Sequence, residues 1–137
     1  MLPSTQSKIR ILLADDHRLV REQLAARLSR EADFDIVGVA ATSRATLQEM
    51  QLKHPHILLI DPIMRDGLGL AILRQVCANF PKLVIVILTA YVDTALNMHF
   101  QQMGIRHILT KGVVSSHLLT ELRAAYTSAD FQDSQET

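Results

Sequence analysis

Five short apolar runs, rich in Ile, Val and Leu, punctuate the chain at Ile9–Ala14, Ile36–Ala41, Ile57–Ile60, Leu83–Leu88 and Ile105–Leu109. The third and fourth show almost no polar alternation. A strand half exposed to water alternates apolar and polar residues, whereas a strand covered on both faces is apolar throughout, as in the middle of a parallel sheet. The stretches between the runs carry a different period. Val20, Leu24 and Leu28 recur at every fourth residue, as do Val92, Leu96 and Phe100 with Met103 behind them. Leu73, Val76, Cys77 and Phe80 form another stripe, and Leu118, Leu119, Leu122 and Tyr126 the last. The weakest is Ser43–Leu52, where Ala45, Leu47 and Met50 mark a buried side and Thr42 or Ser43 can cap the start. His54-Pro55 and Phe80-Pro81 stop two helices, and Gly104 suits a helix C-terminus.

The order is therefore (βα)5. Strict alternation implies an α/β fold: a doubly wound parallel sheet with helices on both faces, joined by right-handed crossovers. Five units suit the flavodoxin-like strand order 2-1-3-4-5. We expect residues 1–7 to be an N-terminal extension and 8–127 the domain. The polar segment 128–137 is expected to be a fraying tail or the start of a linker.

Composition narrows the function classes. Apolar residues are 48% and charged residues 20% of 137, so the chain can build one ordinary core. Lys plus Arg (14) balance Asp plus Glu (14), which leaves no basic footprint for direct nucleic-acid binding by this chain or for an anionic membrane. The sole cysteine, Cys77, lies on a helix stripe and reads as a buried structural thiol in a reducing compartment. MLPSTQSK lacks a signal peptide's apolar stretch, and Leu83–Leu88 is too short to span a bilayer, so the expected location is the cytoplasm.

Ligands of open α/β sheets bind beyond the carboxyl ends of the strands. The residues that follow the apolar runs are Asp15-Asp16 after the first, Asp61 after the third, Thr89 after the fourth and Thr110-Lys111 after the fifth. Three clustered carboxylates repel one another unless a cation sits among them. An oxygen-rich set points to Mg²⁺, which retains waters and accepts phosphate as a ligand. One Lys and one Thr on the same site suit a phosphoryl group, and a carboxylate can itself be the nucleophile.

The segments ILLADDHRLVRE, LLIDPIMRDGLGL, Thr89-Ala90 and GIRHILTKG resemble, in order, the four signature blocks of response-regulator receiver domains. The likeness covers residues 8–127, with steps of 45 (16 to 61), 28 (61 to 89) and 22 (89 to 111) residues. The DDHRLVRE form and Gly112 after Lys111 resemble the NarL/FixJ branch. The resemblance implies that Asp61 is both phosphoacceptor and metal ligand, that Asp16 binds Mg²⁺ directly and that Asp15 assists. It implies that Ile63 gives its carbonyl to the metal and its amide to the phosphoryl group. Ala90 would donate its backbone N–H, and Thr89 and Lys111 would engage the phosphoryl oxygens.

A sensor histidine kinase is the implied donor, and the domain is expected to be a switch that assists its own phosphorylation and dephosphorylation more than a turnover enzyme. Regulators of that branch usually continue into a helix-turn-helix domain, through which DNA would be reached to control transcription; the alternative is a stand-alone receiver acting by protein contact. Homodimerisation through the first and fifth helices, or the fourth and fifth, is left open.

Three positions depart from the pattern. Pro62 removes an amide next to Asp61, and Arg65 replaces a frequent proline, which is expected to loosen the loop before Gly69. Ile108 stands where many receivers have an aromatic reporter. Tyr91, two residues after Thr89, is read either as shaping access to the site or as a surface aromatic. His54 and His56 fall at the opposite edge and are not expected to hold metal. His17 is expected to be partly exposed. Two rival readings are an aspartate-nucleophile phosphohydrolase, which would want a carboxylate at Ile63, and a degenerate receiver that serves only for interaction.

Overall fold

The computed structural model describes residues 8–91, 93–112 and 115–136; the expected N-terminal extension, residues 1–7, lies outside them. The elements are β1 (Ile9–Ala14), α1 (Arg18–Ser29), β2 (Phe34–Ala40), α2 (Ser43–Lys53), β3 (Ile57–Ile60), β4 (Ile63–Met64), β5 (Gly67–Leu68), α3 (Leu70–Asn79), β6 (Val84–Thr89), α4 (Thr94–Gln102), β7 (His107–Thr110) and α5 (Ser115–Glu136). A five-stranded sheet runs β2-β1-β3-β6-β7, and all four of its pairings are parallel. The two-residue strands β4 and β5 form a separate antiparallel hairpin, so the main sheet has the expected order 2-1-3-4-5.

The unbroken apolar run of β3 has its reason in two cores. Ile57 and Leu59 join Ile11, Leu13, Val86 and Leu88 under α1 and α5. Leu58 and Ile60 join Leu12, Ala14, Ile85 and Ile87 under α2, α3 and α4. All four β3 side chains are at most 1% exposed, and burial of this kind contributes roughly 25 cal/mol per Å² of apolar surface.

Strand boundaries shift by a residue or two from expectation, and two of the shifts have a clear cause. β2 begins at Phe34, not Ile36, because Phe34 is buried and pairs with Ile9. Ile105 belongs to the end of α4, not to β7. The Gly104 amide donates to the Gln101 carbonyl and the Ile105 amide to that of Phe100, both at 2.9 Å, with Gly104 at φ 86°. That is a Schellman cap, and its apolar contact is Ile105 with Phe100 in one core. An apolar residue in this motif is indistinguishable in sequence from the first residue of a strand.

Thr42 caps α2 as expected, its hydroxyl accepting the Ala45 amide at 3.0 Å. α5 stays helical through the polar residues 128–136. Cys77 is partly buried against the second core, and burial raises its thiol pKa above the ordinary value. Among the described residues no helix is long and apolar enough to cross a membrane.

Arg123 ties α5 to the α1–β2 loop. Its guanidinium donates to both Asp33 oxygens at 2.8 and 3.0 Å and to Glu31 at 2.7 Å, and lies 4.9 Å from the centre of the Phe34 ring. The Arg123 hydrogen bond holds the Asp33 carboxyl below its ordinary pKa, and Arg27 followed by Arg123 does the same for Glu31. A lowered carboxyl pKa contributes stability above the usual carboxylate range that is lost as pH falls through the folded value. Unfolding curves from neutral pH downward should therefore show Arg123→Ala less stable than wild type near neutrality. The gap should close toward about pH 3, below ordinary carboxyl values; a constant gap would argue that packing on Phe34, not charge, is what was lost.

Candidate functional site

Parallel register brings the expected residues to one edge. Ala14 pairs with Ile60, so the next residue of each strand, Asp15 and Asp61, emerges side by side. Their amides complete the ladder, Asp61 donating to the Ala14 carbonyl at 2.9 Å and Asp15 to that of Ala40 at 3.0 Å. Thr89 pairs with Thr110, and the Lys111 amide donates to the Thr89 carbonyl at 2.7 Å, which sets Lys111 at the same edge.

The side chains converge. Asp15 and Asp61 are 1% and 4% exposed, and one ammonium bridges them: Lys111 Nζ lies 2.8 Å from Asp15 Oδ2 and 2.6 Å from Asp61 Oδ2. Burial alone would lower the Lys111 pKa; its hydrogen bonds to Asp15 and Asp61, with their charges, outweigh that and raise it above the ordinary value. The second Asp61 oxygen accepts the Ile63 amide at 3.0 Å, which turns the backbone of Ile63 onto the carboxylate although its side chain is exposed. Asp16 Oδ1 is buried without a hydrogen bond. Thr89 is buried, and its hydroxyl accepts the Tyr91 amide at 3.5 Å, at the outer limit of a hydrogen bond. Ala90 follows at an exposed bend, and the Tyr91 ring is open to solvent.

Two residues at this edge had no assigned role in the sequence. His17 Nδ1 lies 3.1 Å from Asp15 Oδ1, 3.2 Å from Asp16 Oδ1 and 3.1 Å from Lys111 Nζ. Among the described residues, Asp15, His17 and Asp61 form the one cluster of side chains whose ligand atoms could share a metal ion. Asp66 reaches across from the β4–β5 hairpin to the start of α2. Its two oxygens accept the Ser43 amide at 2.9 Å and the Arg44 amide at 3.2 Å. The Ser43 amide bond is the main reason its pKa is lowered, and a carboxylate at a helix N-terminus also meets the positive end of the dipole. The loop that Arg65 was expected to loosen is thus paired and anchored. Asp66→Ala should speed amide exchange at Ser43 and Arg44, while Asp66→Asn, which keeps one acceptor, should do so less. Equal protection in all three proteins would count against the anchor.

His54 and His56 sit at the far edge, engaged with their surroundings. His54 is the left-handed C-cap of α2 at φ 49°, with its ring edge-on to Phe80 at 5.6 Å. His56 Nδ1 accepts the Arg10 amide at 2.9 Å, and its ring meets Tyr126 at 5.3 Å.

The family model described as "Response regulator receiver domain" matches residues 11–123. The chain belongs to this family. It is similar to the oxygen regulatory protein NreC of Staphylococcus haemolyticus, at 29% identity over 91% of this chain and 58% of the relative. It is also similar to the response regulator protein VraR of Staphylococcus saprophyticus, at 26% identity over 88% of this chain and 57% of the relative. The chain thus spans little more than half the length of these curated relatives. In fold it matches the signal receiver domain of NarL from Mycobacterium tuberculosis with a TM-score of 0.82 at 22% identity, covering 89% of this chain and 98% of that one. The resemblance to the NarL/FixJ branch agrees with these relatives. In this receiver, Ile108 packs partly buried against the second core beside its strand partner Ile87. It supplies no ring at the place where many receivers carry one.

Proposed function

We propose that this receiver takes a phosphoryl group onto Asp61 from the phosphohistidine of a sensor kinase. The observation that carries the reading is the Lys111 ammonium bridging two buried carboxylates, Asp15 and Asp61, at adjacent strand ends. Buried carboxylates held by one movable cation are poised for an anionic ligand that the same cation can follow.

An Asp61 oxygen attacks phosphorus in line, the new P–O bond forms, and the P–N bond to the kinase imidazole breaks. The Ile63 amide, already aimed at Asp61, passes to a phosphoryl oxygen. Lys111 pairs with another, and the Thr89 hydroxyl gives up its long contact with Tyr91 to donate to a third. The Ala90 amide is the remaining donor. The Asp16 oxygen, buried without a hydrogen bond and next in sequence to Asp15, fits a hard divalent cation. Asp15, Asp16 and Asp61, with the Ile63 carbonyl, would hold Mg²⁺, which when bound neutralises the charge gathered in the transfer.

The phosphoryl charge biases the α4–β7–α5 surface, and the domain, residues 8–127, controls transcription through a DNA-binding domain outside this chain, in the cytoplasm. Intact mass after incubation with Mg²⁺ and acetyl phosphate tests this reading. A gain of one phosphoryl group, absent without the cation, is the expected result. An unchanged mass would instead favour a receiver that acts only through protein contacts, and steady release of phosphate from small phosphomonoesters would favour a hydrolase.

A further inference from the structure

We propose that His17 is a nitrogen ligand of the divalent cation at this site, so that the receiver favours a first-row transition ion such as Mn²⁺ over Mg²⁺. The inference deepens the reading of Asp61 as a metal-assisted phosphoacceptor and rests on it.

Three observations carry it. First, the spacing of the donor atoms. His17 Nδ1 stands 3.1 Å from Asp15 Oδ1 and 3.2 Å from Asp16 Oδ1. Two cis ligands of an octahedral ion, each about 2.1 Å from the metal, lie about 3.0 Å apart. The imidazole nitrogen already keeps about that separation from one oxygen of each carboxylate. Second, the donors converge on a cation: Lys111 Nζ is within 3.1 Å of His17 Nδ1, 2.8 Å of Asp15 Oδ2 and 2.6 Å of Asp61 Oδ2. The ligand atoms of Asp15, His17 and Asp61 all fall within 4.8 Å of one another. Third, the backbone fixes this stance. The His17 amide donates to Asp15 Oδ1 at 2.8 Å, which folds the Asp15–His17 segment back on itself and brings the ring over the carboxylates. The outer side of His17 is open to solvent, which leaves an approach for a hydrated ion.

A neutral imidazole adds little for Mg²⁺, which prefers oxygen and sheds water reluctantly, but it strengthens binding of ions further along the Irving–Williams series. A hydrogen-bonding role alone explains the contacts less well. A single Nδ1 cannot donate to a carboxylate and accept from Lys111 at once.

The test uses the whole chain with Mn²⁺ as the probe. Pulsed electron paramagnetic resonance of bound Mn²⁺ should show coupling to a coordinated histidine nitrogen, lost in both His17→Ala and His17→Asn. Calorimetric titration with Mn²⁺ and Mg²⁺ should show the ratio of their affinities falling about tenfold in both variants, the scale expected on disturbing a metal site's histidine. Bound Mn²⁺ without nitrogen coupling in the wild type, or coupling that survives in the variants, overturns the proposal. So does an unchanged affinity ratio. If acetyl phosphate still labels Asp61 in those cases, only the His17 ligation falls. If neither metal binds and no label appears, the reading of Asp61 falls with it.

Discussion

Asp61→Asn should abolish phosphoryl uptake: its intact mass after Mg²⁺ and acetyl phosphate should equal that of the untreated protein, while the wild type gains one phosphoryl group. The substitution is close to isosteric, and the amide oxygen can still accept the Ile63 N–H that Asp61 Oδ1 accepts at 3.0 Å. What disappears is the proposed nucleophile, because a carboxamide oxygen carries no full charge and its nitrogen has no free lone pair. The Asp15–Lys111 contact at 2.8 Å survives, so the strand ends should keep their positions. Circular dichroism should confirm a folded protein, which separates loss of chemistry from loss of fold. Label that persisted in this variant would move the acceptor elsewhere.

Much of this site was readable from the sequence because the fold is written in period. Strands buried on both faces must be apolar throughout, so the first polar residue after each run marks a strand end, and parallel register puts those ends on one edge. Asp15, Asp61 and Thr89 follow from that rule, and Lys111 comes one residue after Thr110, the polar residue that ends the fifth run. Boundaries were less legible where one residue type serves two purposes. Ile105 is apolar because it closes the Schellman cap of α4 onto Phe100, not because it lies in a strand. Asp66 carried no signal, since its partners Ser43 and Arg44 are 23 and 22 residues away and meet it only after the hairpin folds. His17 was visible but mute. Its neighbours Asp15 and Asp16 are evident from the sequence, whereas the turn that brings its ring onto them depends on one backbone hydrogen bond to Asp15. The polar segment after Ser128 carries a weaker signal still. It has no apolar stripe of its own, and the helix continues through it to Glu136 as an extension of the turns before it.

Lys111→Met should produce the second large effect, on stability and its dependence on metal. The ammonium is the shared partner of two carboxylates that are almost wholly buried. Removing one member of such a buried set leaves uncompensated charge, at a cost of about 3–5 kcal/mol. Urea unfolding in chelator at neutral pH should show a loss of that order. A divalent cation that binds only the folded state should recover part of it, about 2.7 kcal/mol at a hundredfold excess over the dissociation constant. The variant should therefore gain more from Mg²⁺ than the wild type, in which the cation competes with Lys111 for the same oxygens. The alkaline limb gives an independent check of sign. The folded pKa of Lys111 is raised, so its contribution is complete at neutral pH and is lost as pH rises from the ordinary lysine value through the folded one. The wild type should lose stability on crossing about pH 10.4, the unperturbed lysine value, and the variant should lack that component. Equal stability in chelator, with equal response to Mg²⁺, would mean that Lys111 is a bystander, and the proposed poise of Asp61 would lose its counterion.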